Sequence, residues 1–223
     1  PLSFAQRRLW FLNRLEGASA TYTIPLAVRL SGDLDVAALE AALGDLMARH
    51  ESLRTVFPET LGVPHQQVLD VSAARPRLMA KKIASADLSA ELASAAARGF
   101  DLAAEPPLRA QLFRLERGKQ VSTDNGNAPS EPEHVLLLLL HHIAGDGSSL
   151  APLARDLSRA YALRRVGGVP ADRPGLPPLP VQYADYTLWQ HRVLGRESDP
   201  DSVIAQQLAF WTATLAELPE AIA

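Results

Sequence analysis

His134-Val-Leu-Leu-Leu-Leu-Leu-His-His-Ile-Ala-Gly-Asp-Gly147 runs an unbroken apolar segment straight into two adjacent histidines and an acidic turn. Residues 135 to 140 have the length of a strand covered on both faces, although leucines alone also suit a buried helix. The strand reading puts His141 and His142 on opposite faces, because side chains alternate along a strand. One imidazole then faces a cavity while its neighbour is held in the packing behind it. Gly145 and Gly147 bracket Asp146, so the backbone can turn sharply after the strand and a ligand can approach it closely.

Outward from this segment, Leu108 to Leu115 alternates enough to be a second strand, expected beside the first. Thr21 to Leu30 is β-branched and apolar and stops at Ser31-Gly32, which predicts a third; Pro25 within it calls for an edge position or an irregular start. His65 to Leu69 and the stretch around Leu78 to Ile83 are shorter strand candidates. Helical spacing appears in residues 3 to 15, then from an Asp35 cap through Leu39, Leu43, Leu46 and Met47. Ala86 to Arg98 is an alanine-rich helix closed by Gly99. Leu150, Leu153, Leu157 and Tyr161 share one helical face, so the acidic turn leads directly into a helix. Two more helices carry Tyr183, Tyr186 and Trp189, and Leu208, Trp211 and Leu215. Residues 117 to 133 predict a mobile surface loop, and five prolines between Gly167 and Pro180 predict an extended crossing segment. Strands mixed with helices make the fold class α/β, a sandwich with a sheet covered by helices.

Bulk properties bound the function. The 223 residues suffice for one domain or large lobe with a sizeable core. An apolar fraction of 47% with 21% charged residues is that of a globule rather than a disordered chain. A net charge of −3 offers no basic excess to neutralise phosphates, so a nucleic-acid partner is not expected. No stretch has the length of a membrane span or the pattern of a signal peptide, and no membrane association is expected. The absence of cysteine rules out disulfides and thiolate chemistry and fits a cytoplasmic location. The start at Pro1-Leu2-Ser3, without methionine, is expected of a segment cut from a longer polypeptide.

The segment His141-His-Ile-Ala-Gly-Asp-Gly147 resembles the His-His-x-x-x-Asp-Gly active-site motif of nonribosomal peptide synthetase condensation domains. Three further segments resemble that family's motifs and stand in its order. These are Ser3-Phe-Ala-Gln-Arg-Arg-Leu-Trp-Phe-Leu12, Arg49-His-Glu-Ser-Leu-Arg-Thr-Val-Phe57 and Tyr183-Ala-Asp-Tyr-Thr-Leu-Trp189. One short motif is weak; four in register are strong. The resemblance covers residues 1–223 but only about half of a family member, which implies an N-terminal lobe without its C-terminal partner lobe. It also implies a two-layer chloramphenicol acetyltransferase-like lobe and, from Leu2 to Gln6, the subtype joining an L-donor to an L-acceptor. The implied activity is peptide-bond formation. The chain needs no cofactor of its own, its substrates arriving on the phosphopantetheine arms of donor and acceptor carrier proteins.

The chemistry needs an amine delivered to a thioester carbonyl, stabilisation of the oxyanion and removal of a proton. Positioning two tethered reactants removes roughly 7–11 kcal/mol of barrier, whereas a general base contributes about 10²–10⁴ in rate. The resemblance assigns the functional imidazole to His142. A histidine ring with its ordinary pKa of about 6.5 can accept a proton near neutral pH or hold the amine by a hydrogen bond; both roles stay open. His141 is expected to point into the fold. Asp146 is expected to lock the turn, with an arginine from the other lobe as partner, and hence to be under-satisfied here. The Gly147 N–H can face the carbonyl oxygen at a helix start, or belong to an ordinary turn. Arg54 is expected to support the fold, reaching a carboxylate beneath the active loop; Gln6 and Arg8 are read as structural. At Ser148 the family often has a bulkier residue, so the shape of that side of the tunnel is open. Adjacent strand histidines diverge and no third ligand converges with them, so no metal site is expected. Competing readings are a coenzyme A-dependent acyltransferase, separable by the donor it accepts, and a non-catalytic docking module of the same fold.

Overall fold

The computed structural model describes residues 1–78, 80–116, 132–169 and 174–218. The chain runs α1 (Phe4–Glu16), β1 (Thr23–Ser31), α2 (Val36–Arg49) and a 3-10 turn (Glu51–Arg54). The short strands β2 (Thr55–Val56), β3 (Glu59–Thr60), β4 (Val63–Pro64) and β5 (Gln67–Val68) follow, then α3 (Val71–Ala74), β6 (Ala80–Ala84) and α4 (Leu88–Ala96). The long strands β7 (Leu108–Glu116) and β8 (Glu133–His141) precede α5 (Leu150–Arg165), α6 (Tyr183–Leu194) and α7 (Val203–Thr214).

The leucine run is a strand, and it lies inside the sheet. The order is β1-β8-β7-β6, with β8 antiparallel to both neighbours and β6 parallel to β7. Leu138 stands opposite Leu26 on one side and Ala110 on the other. Alternation then divides the run. Leu136, Leu138 and Leu140 pack with Leu39, Leu43 and Leu46 of α2 and with Leu153 and Leu157 of α5. Val135, Leu137 and Leu139 pack with Phe57, Phe100 and Phe113 and meet Leu9 and Trp10 of α1 and Leu88 and Leu92 of α4. The sandwich of mixed sheet and helices is therefore present, with helices against both faces. Burial of each such side chain is worth about 1.5–3 kcal/mol, so this strand anchors the lobe. Pro25 lies on β1 at the sheet edge, where a missing N–H costs no ladder bond.

Local chemistry sets the helix starts. Ser3 and Gln6 form a reciprocal capping box on α1, and the Asp35 carboxylate accepts from Ala38 N at 2.9 Å to cap α2. Gly99 has a different reason from the helix stop expected of it. A Cβ there would stand 1.8 Å from the Ala18 carbonyl oxygen, so close backbone approach requires glycine. In the crossing segment, Gly175 N donates to Asp45 Oδ1 at 2.9 Å and Leu176 is buried, which straps residues 174–176 over α2 and α5. Of the loop expected over 117–133, residues 117–131 lie outside the described residues. Pro132 O accepts from Gly32 N and Glu133 already belongs to β8.

Candidate active site

β8 delivers its two histidines in opposite directions. Its neighbours pin the backbone at this point: His141 N donates to Pro107 O at 2.9 Å and His142 N to Tyr22 O at 2.8 Å. His141 is 0% exposed, whereas the adjacent His142 is exposed. The His142 side chain lines a cavity of about 450 Å³ together with Gln6, Arg8, Tyr22, Asp146 and Tyr183. Alternation along a strand, read from the sequence, is what separates the two rings.

His141 organises the turn behind the site. Its Nδ1 accepts from Ile143 N at 3.1 Å, which places the ring proton on Nε2. Nε2 is buried without a hydrogen-bond partner among the described residues, close to the rings of Phe100 and Tyr22. Burial, assisted by the neighbouring His142, lowers its pKa to about 4. The unfolded chain takes up this proton near pH 6.5 and the folded chain does not until about pH 4. Stability from His141 is therefore fully present above pH 6.5 and is lost as the pH falls toward 4, by roughly 3 kcal/mol at most. His141→Asn keeps an acceptor near Ile143 N but does not titrate. Urea denaturation of both proteins from pH 7.5 to pH 4 is expected to show wild type losing stability more steeply; identical slopes would dismiss this account.

Asp146 begins the short 3-10 turn Gly147–Ser149 that leads into α5. Its Oδ1 accepts from Ser148 Oγ at 2.7 Å, Ser149 Oγ at 2.9 Å and Ser149 N at 3.1 Å. The Ser148 and Ser149 hydroxyls, just past Gly147, engage Oδ1 alone, while Oδ2 has no partner among the described residues. The Ser148 hydrogen bond leads the set holding the carboxyl below the usual carboxylate range. An ionised, hydrogen-bonded carboxylate locks a turn and does not donate protons. Packing is tight at Gly145 and open at Gly147: a Cβ at Gly145 would meet Leu140 Cδ2 at 3.0 Å, whereas one at Gly147 would meet nothing within 4 Å. Gly147 is exposed, its N–H has no partner among the described residues, and it is not among the residues lining the His142 cavity.

Arg54 does not reach the active loop. It donates to the carbonyls of Met47 and Leu69 and to Glu51 Oε1, so it braces the 3-10 turn and β5. The tie expected of Arg54 is made by its neighbours. Arg49 Nε at 2.9 Å and His50 Nε2 at 2.8 Å both meet Asp156 Oδ2, on the helix that follows the loop. Burial opposes ionisation of Asp156, but the His50 hydrogen bond and the Arg49 charge hold its carboxyl below the ordinary value. Gln182, at the N-terminus of α6, clasps the same segment through Arg49 O and Glu51 N.

Gln6 is structural as expected: it is 2% exposed, belongs to the α1 capping box and donates to Gln66. Arg8 is exposed on the cavity wall and makes no hydrogen bond or ion pair among the described residues. Tyr183, read from sequence as part of a packed aromatic face, does contact Tyr186 with ring centres 5.4 Å apart, and it also lines the cavity. Among the described residues no group of three His, Asp or Glu side chains could hold a metal ion, and no helix is long and apolar enough to cross a membrane.

Residues 1–222 match the condensation domain family. The chain belongs to that family. It is 56% identical over 220 residues to the dimodular nonribosomal peptide synthase of Bacillus subtilis (strain 168), and 48% identical over 226 residues to the isonitrile lipopeptide synthase of Mycobacterium tuberculosis (strain ATCC 25618 / H37Rv). It covers 99% of itself and 8% of the relative's length in both comparisons. Among solved structures it resembles the X-domain from teicoplanin biosynthesis, with 40% identity and a TM-score of 0.82 over 100% of this chain and 44% of that one. The first condensation domain of the calcium-dependent antibiotic synthetase, 20% identical with a TM-score of 0.72, shares the fold over 100% of this chain and 49% of that chain. This condensation-domain chain thus has the mixed α/β fold of the chloramphenicol acetyltransferase-like kind and spans about half the length of those two structures.

Proposed function

We propose that this chain is the N-terminal lobe of a condensation domain that transfers a carrier-bound acyl or peptidyl group to the amine of a carrier-bound aminoacyl acceptor. The observation carrying this reading is the exposed His142 ring on the wall of a cavity, backed by a neutral His141. In the reaction the acceptor nitrogen attacks the thioester carbonyl, the carbonyl oxygen takes negative charge, and collapse expels the pantetheine thiolate. The nitrogen loses one proton and the thiolate gains one, leaving an amide and a thiol. His142 either carries that proton or holds the amine in line for attack. The Gly147 N–H has no partner among the described residues but stands outside the lining of the His142 cavity, so it serves as a donor to the developing oxyanion only where the two-lobed cleft brings the carbonyl beyond that cavity.

The missing partners in this reading are donor and acceptor carrier proteins, adjacent synthetase modules and a C-terminal lobe that completes the cleft. The opening Leu2 to Gln6 segment favours an L-configured donor and an L-amino acid acceptor. The isolated 223-residue chain is accordingly inactive or nearly so. The likeness to an X-domain, which has also been seen in complex with OxyB, supports a second reading as a docking module without chemistry. The two-lobed domain, assayed with one acyl donor on a carrier protein and then on coenzyme A, tests the choice. Amide formation from the carrier-bound donor is expected. Turnover only with coenzyme A would make it a free-standing acyltransferase, and binding of carriers without turnover would favour docking.

A further inference from the structure

A second cavity lies on the other side of the active loop. It measures about 370 Å³ and is lined by His50, Ser52, Leu53, Leu140, Ser148 and Leu153, among others. This is at the small end of the range for ligand sites. Three residues line both this cavity and the one containing His142: Ala144, Ser149 and Tyr183. Two of the three are small, so the ring of Tyr183 supplies most of the bulk between the two spaces.

Tyr183 is held in that position from two sides. It is the first residue of α6, whose N-terminus Gln182 clamps to Arg49 and Glu51. Its hydroxyl lies 3.0 Å from Ser3 Oγ, the atom that caps α1 by accepting from Gln6 N. The ring therefore stands between two helix starts, each fixed by its own capping interactions.

The lining of the second cavity defines what fits it. Leu53, Leu140 and Leu153 form a buried apolar floor. The Ser52 hydroxyl makes no hydrogen bond among the described residues. Among the described residues no Lys, Arg, Asp or Glu lines this cavity, and His50 Nε2 is taken by Asp156. A charged side chain would enter without a partner, which costs several kcal/mol, whereas an aliphatic or singly hydroxylated one would be satisfied.

We propose that this second cavity takes the aliphatic or hydroxylated side chain of one of the two condensing aminoacyl groups, and that Tyr183 sets how large that side chain can be. The proposal rests on the peptide-joining reading of the His142 cavity. It makes Tyr183 a specificity-determining residue, which a merely structural role in α6 would not.

The test uses the two-lobed domain with Tyr183→Ala and Tyr183→Phe, supplied with carrier-bound substrates bearing alanyl, valyl, threonyl, phenylalanyl and aspartyl side chains. In one arm the acceptor is varied, in the other the donor. Tyr183→Ala is expected to raise kcat/KM for phenylalanyl relative to valyl by about tenfold or more in one arm only, which identifies the condensing partner. Tyr183→Phe is expected to keep the wild-type ratio, because the ring and not the hydroxyl forms the wall. Aspartyl is expected to remain poor throughout. Ser52→Leu, which fills the cavity and leaves the Tyr183 ring in place, is expected to shift the ratio toward smaller side chains in that same arm, and covers the case in which Tyr183→Ala fails to fold. Unchanged ratios for folded Tyr183→Ala or Ser52→Leu in both arms would overturn the proposal. A drop in turnover of about 10²-fold on His142→Ala, with the Tyr183→Ala and Ser52→Leu ratios unchanged, would overturn this proposal while leaving the peptide-joining reading standing.

Discussion

Replacing His142 by alanine in the two-lobed domain is expected to lower turnover on carrier-bound substrates by about 10²-fold or more, with an unchanged melting temperature. The two effects separate because the fold and the chemistry use different atoms of this residue. The backbone N–H of His142 bonds Tyr22 O, and alanine keeps that bond. The ring is exposed on a cavity wall, so its removal opens no core void. Residual activity should persist, since holding two tethered reactants together supplies roughly 7–11 kcal/mol independently of any base. His142→Gln sharpens the result: glutamine can hold the amine by a hydrogen bond but cannot carry its proton. Recovery to within about tenfold of wild type would make His142 a positioning group, and a rate as low as that of alanine would make it the base. Undiminished turnover of His142→Ala would remove the residue from the chemistry altogether.

Asp45→Ala should destabilise the lobe by about 1.5–3 kcal/mol, through the loss of charge-assisted hydrogen bonds at a buried carboxylate. The Asp45 side chain is 2% exposed and that of Arg164 is 6% exposed, and Arg164 Nε meets Asp45 Oδ2 at 2.7 Å. The Asp45 hydrogen bond raises the pKa of Arg164, and a guanidinium stays protonated even without that partner. Alanine removes the carboxylate facing it and also the acceptor of Gly175 N. The crossing segment therefore loosens together with the α2–α5 contact. Urea denaturation of the 223-residue chain measures this. Arg7→Ala is the control, because Arg7 and Glu197 form an ion pair with side chains 57% and 46% exposed, worth about 0–1 kcal/mol. Equal costs for the two substitutions would show that burial does not govern the Asp45 pair.

The sequence carried those features whose physics is local. Read as a strand, the leucine run puts the paired histidines on opposite faces, and the family resemblance, not the alternation, named His142 as the outward one. The Asp35 cap and the turn around Asp146 have the same origin, being decided within a few residues of chain, and Pro25 narrowed its strand to an edge position or an irregular start. Asp146 also shows the limit. Beside the arginine expected from the other lobe, Ser148 and Ser149, already visible in the sequence, bond one oxygen of the carboxylate, a local tie the sequence reading missed.

Long-range partners left no such mark. The tie expected of Arg54 belongs to Arg49 and His50, whose common acceptor Asp156 lies more than a hundred residues away. Gly99 looked like a helix stop because the close pass of Ala18 is visible only once the chain has folded. Tyr183 was one aromatic among several until α6 came to rest beside α1 and the active loop, where the same ring bounds two cavities. Sequence alone thus determined the sheet-forming segments and the opposition of the two histidines, since backbone periodicity acts between near neighbours, while four motifs in register carried the family resemblance and with it the choice of His142. Tertiary structure alone decided which distant side chains share a cavity or a carboxylate, because those contacts depend on how whole elements pack and have no period along the chain.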